Sequence, residues 1–370
     1  MSTYLVRMTP LEPFTFGGEK GFRFDSQDVE KGRNNTANIS YYQISRELPE
    51  QTTIIGMLRY LILRHNGVAK DFCKYTNDDK QKIHELIGES SFSFQNREFL
   101  MGKLKSVSPV FIVDQEQNFE KISYYIRNPL NNIGDKTYRP MKMNTQKIVT
   151  SVGKIELPVV DSDNGYTTKT HLNYGYLNIG TVDQPKAEFV ENMFESRLIT
   201  GNKKNNKKND EDGFFKRQAL CFKCEKDKKY SFAVFAECDD GILPKNMLSY
   251  MGLKKSSFRV ECTKVIENDL INRIKNALKG KDIWYYALSD ILLYDEDNIN
   301  SFSIISKKQV RNMETNLNED SFSKAVKRAK NQYNLIEAGS VFWSENPIHN
   351  QNENLKNAGY NYIVKIGGME

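Results

Sequence analysis

The sequence predicts an α+β fold: antiparallel sheets with a few helices, set out as two sandwiches that each pack helices on one face of a sheet. Three observations lead there. Short runs rich in β-branched and aromatic residues recur along all 370 residues. Few segments carry a helical period. Aromatics make up 11% of the chain, with 21 Phe and 19 Tyr, a composition suited to sheet packing. The length accommodates two domains of ordinary size. A shift of composition around Thr181–Lys186 places a soft boundary there, between residues 1–185 and 186–370.

In chain order, Thr3–Met8 alternates as an opening strand, ended by Pro10 and Pro13. A glycine-rich loop follows, with Gly17, Gly18 and Gly21 flanked by Phe16, Phe22 and Phe24, and with Lys20 and Arg23 between. Aromatic faces stack on bases and cations meet phosphates, so the interleaving suits a single-strand contact loop. A glycine turn packed under phenylalanines is the plainer reading. Residues 25–40 are polar and read as a long loop.

The clearest helix begins after Pro49. Thr52 or Thr53 is positioned to cap it, and Ile54, Leu58, Leu61 and Ile62 recur at helical spacing. Ile55, Met57, Tyr60 and Leu63 widen the apolar surface, so the helix should be largely buried, with Asn66-Gly67 as its stop. Its start carries donors at Ser45, Arg46, Gln51, Thr52 and Thr53. A helix N-terminus so supplied is a candidate phosphate cradle, or simply a capped core helix.

Further on, Asn77–Gly88 reads as an amphipathic helix, and Ser90–Phe94 and Lys105–Val113 as strands, the latter interrupted by Pro109. Asn128–Gly165 is irregular and basic, with Lys136, Arg139, Lys142, Lys147 and Lys154. It reads as an arm that touches a partner or as a loop. Gly201–Gly213, with four lysines, reads as a solvated loop. Phe214–Cys224 and Tyr230–Cys238 are expected to form a hairpin, Pro244–Met251 a short helix, Ser257–Val265 a strand and Asn268–Lys279 an amphipathic helix. Ile283–Leu288, Gly339–Ser344 and Tyr360–Ile366 complete the strands.

A net charge of +6 permits an acidic partner such as RNA without demanding one. Five cysteines argue against a disulfide framework, and with no signal peptide at the N-terminus the cytoplasm is the expected compartment. No apolar run approaches the ~20 residues that span a bilayer. The four histidines, His65, His84, His171 and His349, have no acid or nucleophile at a telling spacing. No phosphate-loop, HExxH or GxSxG pattern occurs. Cys221-x-x-Cys224 with Cys238 and Cys262 invites a zinc reading. Residues three apart on a strand face opposite sides, which argues against it. No catalytic residue, metal or cofactor is expected.

Two stretches together carry a family likeness. TPLEPFTFGGEKGF, then LPEQTTIIGMLRYLIL, resembles the N-terminal signature of RAMP proteins, the RNA-binding proteins of CRISPR effector complexes. The nearest resemblance is to the third-subunit family of the type III-B (Cmr) complex, related to the fourth subunit of the type III-A (Csm) complex. A P-Q-T-x-x-G-x-x-R run opens the first helix in that family. Pro49, Gln51, Thr52, Gly56 and Arg59 fill it here, with Glu50 inserted. Phe194–Arg197 and Gly213–Arg217 resemble the segment that enters the second domain. Ala338–Trp343 is similar to the P-A-G-S-V-Y strand. Asn357–Gly368 resembles the terminal glycine-rich segment, with Tyr360 and Asn361 breaking its motif.

The resemblance implies two ferredoxin-like (RRM-like) domains with loop and hairpin insertions. It implies a non-catalytic RNA-binding subunit that holds the 5′ handle of the CRISPR RNA at the foot of the complex in antiviral defence. The implied partners are the large polymerase–nuclease subunit and a backbone RAMP subunit. Matched to this sequence, the RNA-binding residues are Gly17, Gly18, Lys20, Arg23, Ser45, Arg46, Gln51, Thr52, Thr53 and Arg59, then Arg197, Lys216, Arg217, Gly339 and Ser340. A hairpin or arm wedged against the guide is also implied, with Asn128–Gly165 the candidate. Two other readings stand beside this one: an endoribonuclease that processes precursor CRISPR RNA, and a scaffold that never touches RNA.

Overall fold

Strand β1 (Ser2–Pro10) lies inside a nine-stranded sheet whose described pairings are all antiparallel. The computed structural model describes residues 1–24, 39–70, 75–89, 91–95, 100–114, 122–132, 138–139, 143–160, 175–181, 183–202, 214–224, 228–252, 255–279, 283–293, 302–315, 326–344, 348 and 352–367. Across the main sheet run Pro185–Val190, Tyr176–Gly180, Tyr124–Arg127, Phe111–Asp114, Tyr230–Cys238, β1, Ser256–Val265 and Asn246–Met251. Leu104–Val107 also pairs with Tyr230–Cys238. The boundary expected near Thr181–Lys186 falls at the turn of one hairpin of this sheet, and the sheet takes strands from both sides of it.

Alternation along β1 sets the layers, because successive side chains face opposite sides. Val6 and Met8 point to one face and pack with Ile54, Leu58, Leu61 and Ile62 of helix α1 (Gln51–His65). Helix α2 (Asn77–Ile87) supplies Ile83, Leu86 and Ile87 to the same core. Leu5 points the other way, into a core with Leu270 and Ile274 of helix α3 (Leu270–Ala277) and with Trp284, Tyr286, Val341 and Val364. These last four lie in a small sheet ordered Phe302–Ile304, Val341–Trp343, Trp284–Ala287, Ile363–Ile366. The main sheet is therefore covered on both faces, not on one.

A further sheet joins strands β2 (Phe16–Phe24) and β3 (Ile39–Arg46) to Phe214–Phe222 and Phe194–Asn202. The expected glycine-rich loop is thus mostly strand. A bulge between Gly17 and Lys20 absorbs the extra residue, and Gly18 is required there, since a Cβ would sit 2.3 Å from the Ile44 carbonyl oxygen. Phe16 is packed inside the chain. It is 2% exposed, with ring centroids 4.9 Å from Phe14 and 5.6 Å from Phe232.

Several local expectations change for identifiable reasons. Phe214–Phe222 and Tyr230–Cys238 are strands but not a hairpin; they pair into different sheets. Asn246–Met251 is an edge strand, because Ser249 and Met251 alternate into the core on a period of two. Residues 91–95 form no strand. Pro109 divides its segment into Leu104–Val107 and Phe111–Asp114. The closing strand shortens to Ile363–Ile366: Asn361 has φ +58°, and its side chain bonds both the N–H and the carbonyl of Leu292. Helix α2 carries a capping box, with Thr76 accepting from the Asp79 N–H at 3.2 Å. The short helix α4 (Glu353–Asn357) and the strands between 302 and 336 had no clear signal in the sequence.

The segment read as an arm contains a regular hairpin. Met143–Thr150 pairs with Gly153–Val160 around a turn at Ser151-Val152. Side chains 144–149 and 151–156 are exposed, Val149 at 76% and Val152 at 87%. Lys136 and Lys142, the tract 203–213 and residues 25–38 lie outside the described residues.

Candidate nucleic-acid interface

Helix α1 starts two residues earlier than a cap at Thr52 would place it, and three earlier than one at Thr53. Pro49 leads to Glu50, which is the N-cap with no side-chain bond of its own, so Thr52 and Thr53 fall inside the first turn. The Glu50 carboxylate instead receives Arg46 at 2.9 Å and Lys308 at 2.8 Å. Lys308 also contacts Asp290. This lock fills one side of the first turn and leaves a cavity of about 50 Å³, bordered by Gln51, Asp290, Glu337 and Tyr360. Burial disfavours the charged form of Glu337 and raises its carboxyl above the ordinary range, opposed by Lys308 and Arg127.

The other side of α1 is open. Thr52, Gly56 and Arg59 recur at helical spacing on one face, with Thr53 beside them, and line a cleft of about 450 Å³. Gly17, Gly18 and Arg46 line it from the β2–β3 side, and Phe92, Gln309, Arg311 and Asn312 close it from the far side. Arg59 donates to the Gly88 carbonyl at 3.3 Å. Burial lowers its guanidinium to about 10, so it stays cationic at neutral pH in a desolvated place. Arg311 is exposed at the rim.

Two of the three glycines that line the cleft differ from Gly18. A Cβ added at Gly17 or Gly56 would meet nothing within 4 Å. Neither has the backbone conformation that reserves a position for glycine. Gly56 in a helix interior costs about 1 kcal/mol relative to alanine. The chain's own packing does not demand glycine at either place, whereas it does at Gly18.

Of the residues proposed from sequence, the cleft brings together Gly17, Gly18, Arg46, Thr52, Thr53 and Arg59. Others are elsewhere. Ser45 is buried; its hydroxyl accepts from the Phe16 N–H and donates to the Arg46 carbonyl, both at 3.0 Å. Gln51 is 5% exposed and donates to the Ser108 carbonyl at 2.8 Å, tethering α1 to the main sheet. Gly339 and Ser340 form a buried turn: the Gly339 N–H donates to Ala287 at 2.8 Å, and the Ser340 hydroxyl donates to Glu337 at 2.7 Å. Arg197 is exposed on the sheet edge opposite β2, three strand spacings or ~14 Å away. Lys216 and Arg217 are adjacent on one strand and point to opposite faces. The backbone of Lys20 and Arg23 lies in β2, while their side chains fall outside the described residues.

Gly56 stands in the matched motif without a role of its own, and Phe92, Gln309, Arg311 and Asn312 are not among the residues expected at the site. Nothing local marks the last three, which lie some 250 residues from α1 and reach it only through the fold. Among the described residues, no group of three or more His, Cys, Asp and Glu side chains could hold a metal ion. Cys221 donates weakly to the Glu195 carbonyl at 3.8 Å. No described helix is long and apolar enough to cross a membrane.

The architecture is mixed α+β with mostly antiparallel sheets and few helices. No family model matches the chain, and no curated protein does. Among solved structures, a chain of a type III-B Cmr-beta complex bound to cognate target RNA is similar over 99% of this chain and 98% of that one. Its identity is 16% and its TM-score 0.45. A chain of the same kind of complex, bound to cognate target RNA and AMPPnP, is similar over 97% and 95%, with 15% identity and a TM-score of 0.44.

Proposed function

We propose that this chain is a non-catalytic RNA-binding subunit of a type III-B CRISPR effector complex, and that the cleft beside α1 holds the 5′ handle of the CRISPR RNA. The observation that carries the reading is the pair Gly17 and Gly56, two glycines the chain's own packing does not need, which line one cleft together with Arg46, Arg59 and Arg311 and the single acid Glu50. A missing Cβ on each wall lets a ligand backbone come close. A single-stranded RNA, read by close backbone approach and hydrogen bonds to splayed bases, uses such a space. Arg59 supports it: it lines the same cleft and stays cationic there, a charge that suits a phosphate. Thr52 and Thr53 add hydroxyls, and Arg311 adds charge at the rim. The motif resemblance of Pro49 to Arg59, on the helix that forms one wall, names the kind of RNA. The 143–160 hairpin is the segment offered as the wedge, and the large polymerase–nuclease subunit and a backbone subunit are the protein partners in this reading.

The test is co-purification. The tagged chain is expressed with its neighbouring genes and a repeat array, and the RNA that comes down is sequenced. Short RNAs with one common repeat-derived 5′ end are expected, depleted about tenfold by Gly56→Leu, which fills the cleft from an exposed position. RNA recovered unchanged with Gly56→Leu and with Arg311→Ala rejects the cleft as the site. Recovery of no RNA at all favours the scaffold reading.

A further inference from the structure

The two edges of the main sheet are built differently. The edge at Pro185–Val190 begins with a proline and carries an ion pair, Lys186 to Glu188 at 2.8 Å. Its pairing with Tyr176–Gly180 slips between Asn178 and Gly180. Proline, charge and bulge are the devices that stop an edge strand from pairing with another chain. The opposite edge, Asn246–Met251, has none of them. Its sequence, NMLSYM, contains no charge and no proline. It runs in unbroken register along Ser256–Val265, from Asn246 beside Glu261 to Met251 beside Ser256.

The outer side of that strand pairs with no described strand. Leu248 is 53% and Tyr250 52% exposed, on the face away from Ser249 and Met251. Helix α1 runs beside it: the Arg64 guanidinium donates to the Leu248 carbonyl at 3.4 Å, and Tyr60, one turn earlier, is 44% exposed. Exposed cations surround the strip. Lys245 and Lys255 stand at its two ends, Arg259 pairs directly with Leu248, and Arg64 flanks it. Two described acids lie beside it, each bonded within the chain. Glu12 accepts from the Ser257 N–H at 2.6 Å, and Glu261 is paired with Arg7 at 3.5 Å.

We infer that Asn246–Met251 is a docking edge that takes an extended, acidic segment of another protein as an added strand. The outer ladder of this edge strand, whose Leu248 carbonyl accepts from Arg64, calls for the alternating N–H and C=O groups of a polypeptide at its other positions. Leu248 and Tyr250 call for apolar residues at every second position of that segment. The ring of cations calls for carboxylates. A second copy of this chain is disfavoured, because it would bring the same four cations face to face. The edge is separate from the α1 cleft, and the inference does not rest on RNA binding there.

The full-length chain, purified with its native assembly, is treated with a carbodiimide, which joins amines to carboxylates without a spacer. Lys245 and Lys255 are expected to link to Asp or Glu residues of one extended segment in a different protein. Leu248→Glu with Tyr250→Glu should lower that yield at least tenfold, Arg259→Glu should lower it alone, and Lys186→Ala at the guarded edge should leave it unchanged. Links that survive both edge variants, links between two copies, absence of any link at either lysine, or a link abolished by ribonuclease would each overturn the inference. Guide RNA retained by the edge variants reports the cleft independently.

Discussion

The two sides of the first turn of α1 solve opposite problems with neighbouring residues. On one side Glu50, Arg46, Lys308 and Asp290 close on one another and leave room for about 50 Å³. On the other, Gly17, Gly56 and Arg59 leave a cleft of about 450 Å³. Charges on the closed side have partners within the chain. On the open side two missing Cβ atoms border empty space, beside an Arg59 that donates to the Gly88 carbonyl. The difference teaches that a helix N-terminus rich in donors is not by itself a phosphate site. Here the Glu50 carboxylate takes that place, favourably set at the positive end of the helix, and the space for a ligand lies along the helix flank.

The contrast can be broken most severely on the closed side. Lys308→Met leaves Glu50 and Asp290 without their shared cation and is expected to destabilise the fold by roughly 3–5 kcal/mol, read by urea unfolding. A loss under ~1 kcal/mol would show that the lock is solvated rather than buried. On the open side, Gly56→Leu should leave the urea midpoint close to wild type and cost about tenfold in RNA affinity, ~1.4 kcal/mol. Gly56→Ala sharpens the point: it should stabilise the helix by up to ~1 kcal/mol, whereas Gly18→Ala should destabilise, because its Cβ strikes the Ile44 carbonyl.

Two smaller effects depend on pH. Glu337 has a folded-state pKa above its ordinary 4.5, so the folded chain holds a proton that the unfolded chain releases. Its contribution becomes unfavourable as pH rises from about 4.5 through the folded value. Glu337→Gln should therefore flatten the decline in thermal midpoint over that window; an unchanged slope would remove Glu337 from the account. Asp79 is the reverse case. Its hydrogen bond from Lys70, then those from Thr76, holds it at about 2 against an ordinary 3.8. That stabilisation is present above pH 4 and lost as pH falls towards 2. Asp79→Asn should lower the thermal midpoint slightly at pH 6 and not at pH 2.

Much of the architecture was legible locally. The apolar period of α1, its Asn66-Gly67 stop, the alternation of β1 and the amphipathic pattern of α3 are properties of neighbouring residues, and the structure reproduces them within a few positions. Part of the cleft was legible too, because Gly17, Gly18, Thr52, Thr53 and Arg59 lie in two short stretches of unusual composition. The expected residues that lie outside the cleft share a cause. Ser45, Gln51, Gly339 and Ser340 have donors and acceptors that suit a ligand equally well until the fold supplies Phe16, Ser108, Ala287 and Glu337 as partners. Phe16 reads as a stacking platform until Phe14 and Phe232 cover it.

By itself the sequence determined the elements with a clear short period: α1, α2, α3 and β1, which face of each is apolar, and where glycine and proline end them. Tertiary structure alone decided which strands meet and which charges pair. Only the fold puts β1 between Tyr230–Cys238 and Ser256–Val265, brings Lys308 to Glu50, and sets Arg311 and Gly56 in one cleft. The physical reason is that periodicity arises from backbone geometry over a few residues, whereas pairing between distant segments depends on which of many compatible surfaces bury the most together.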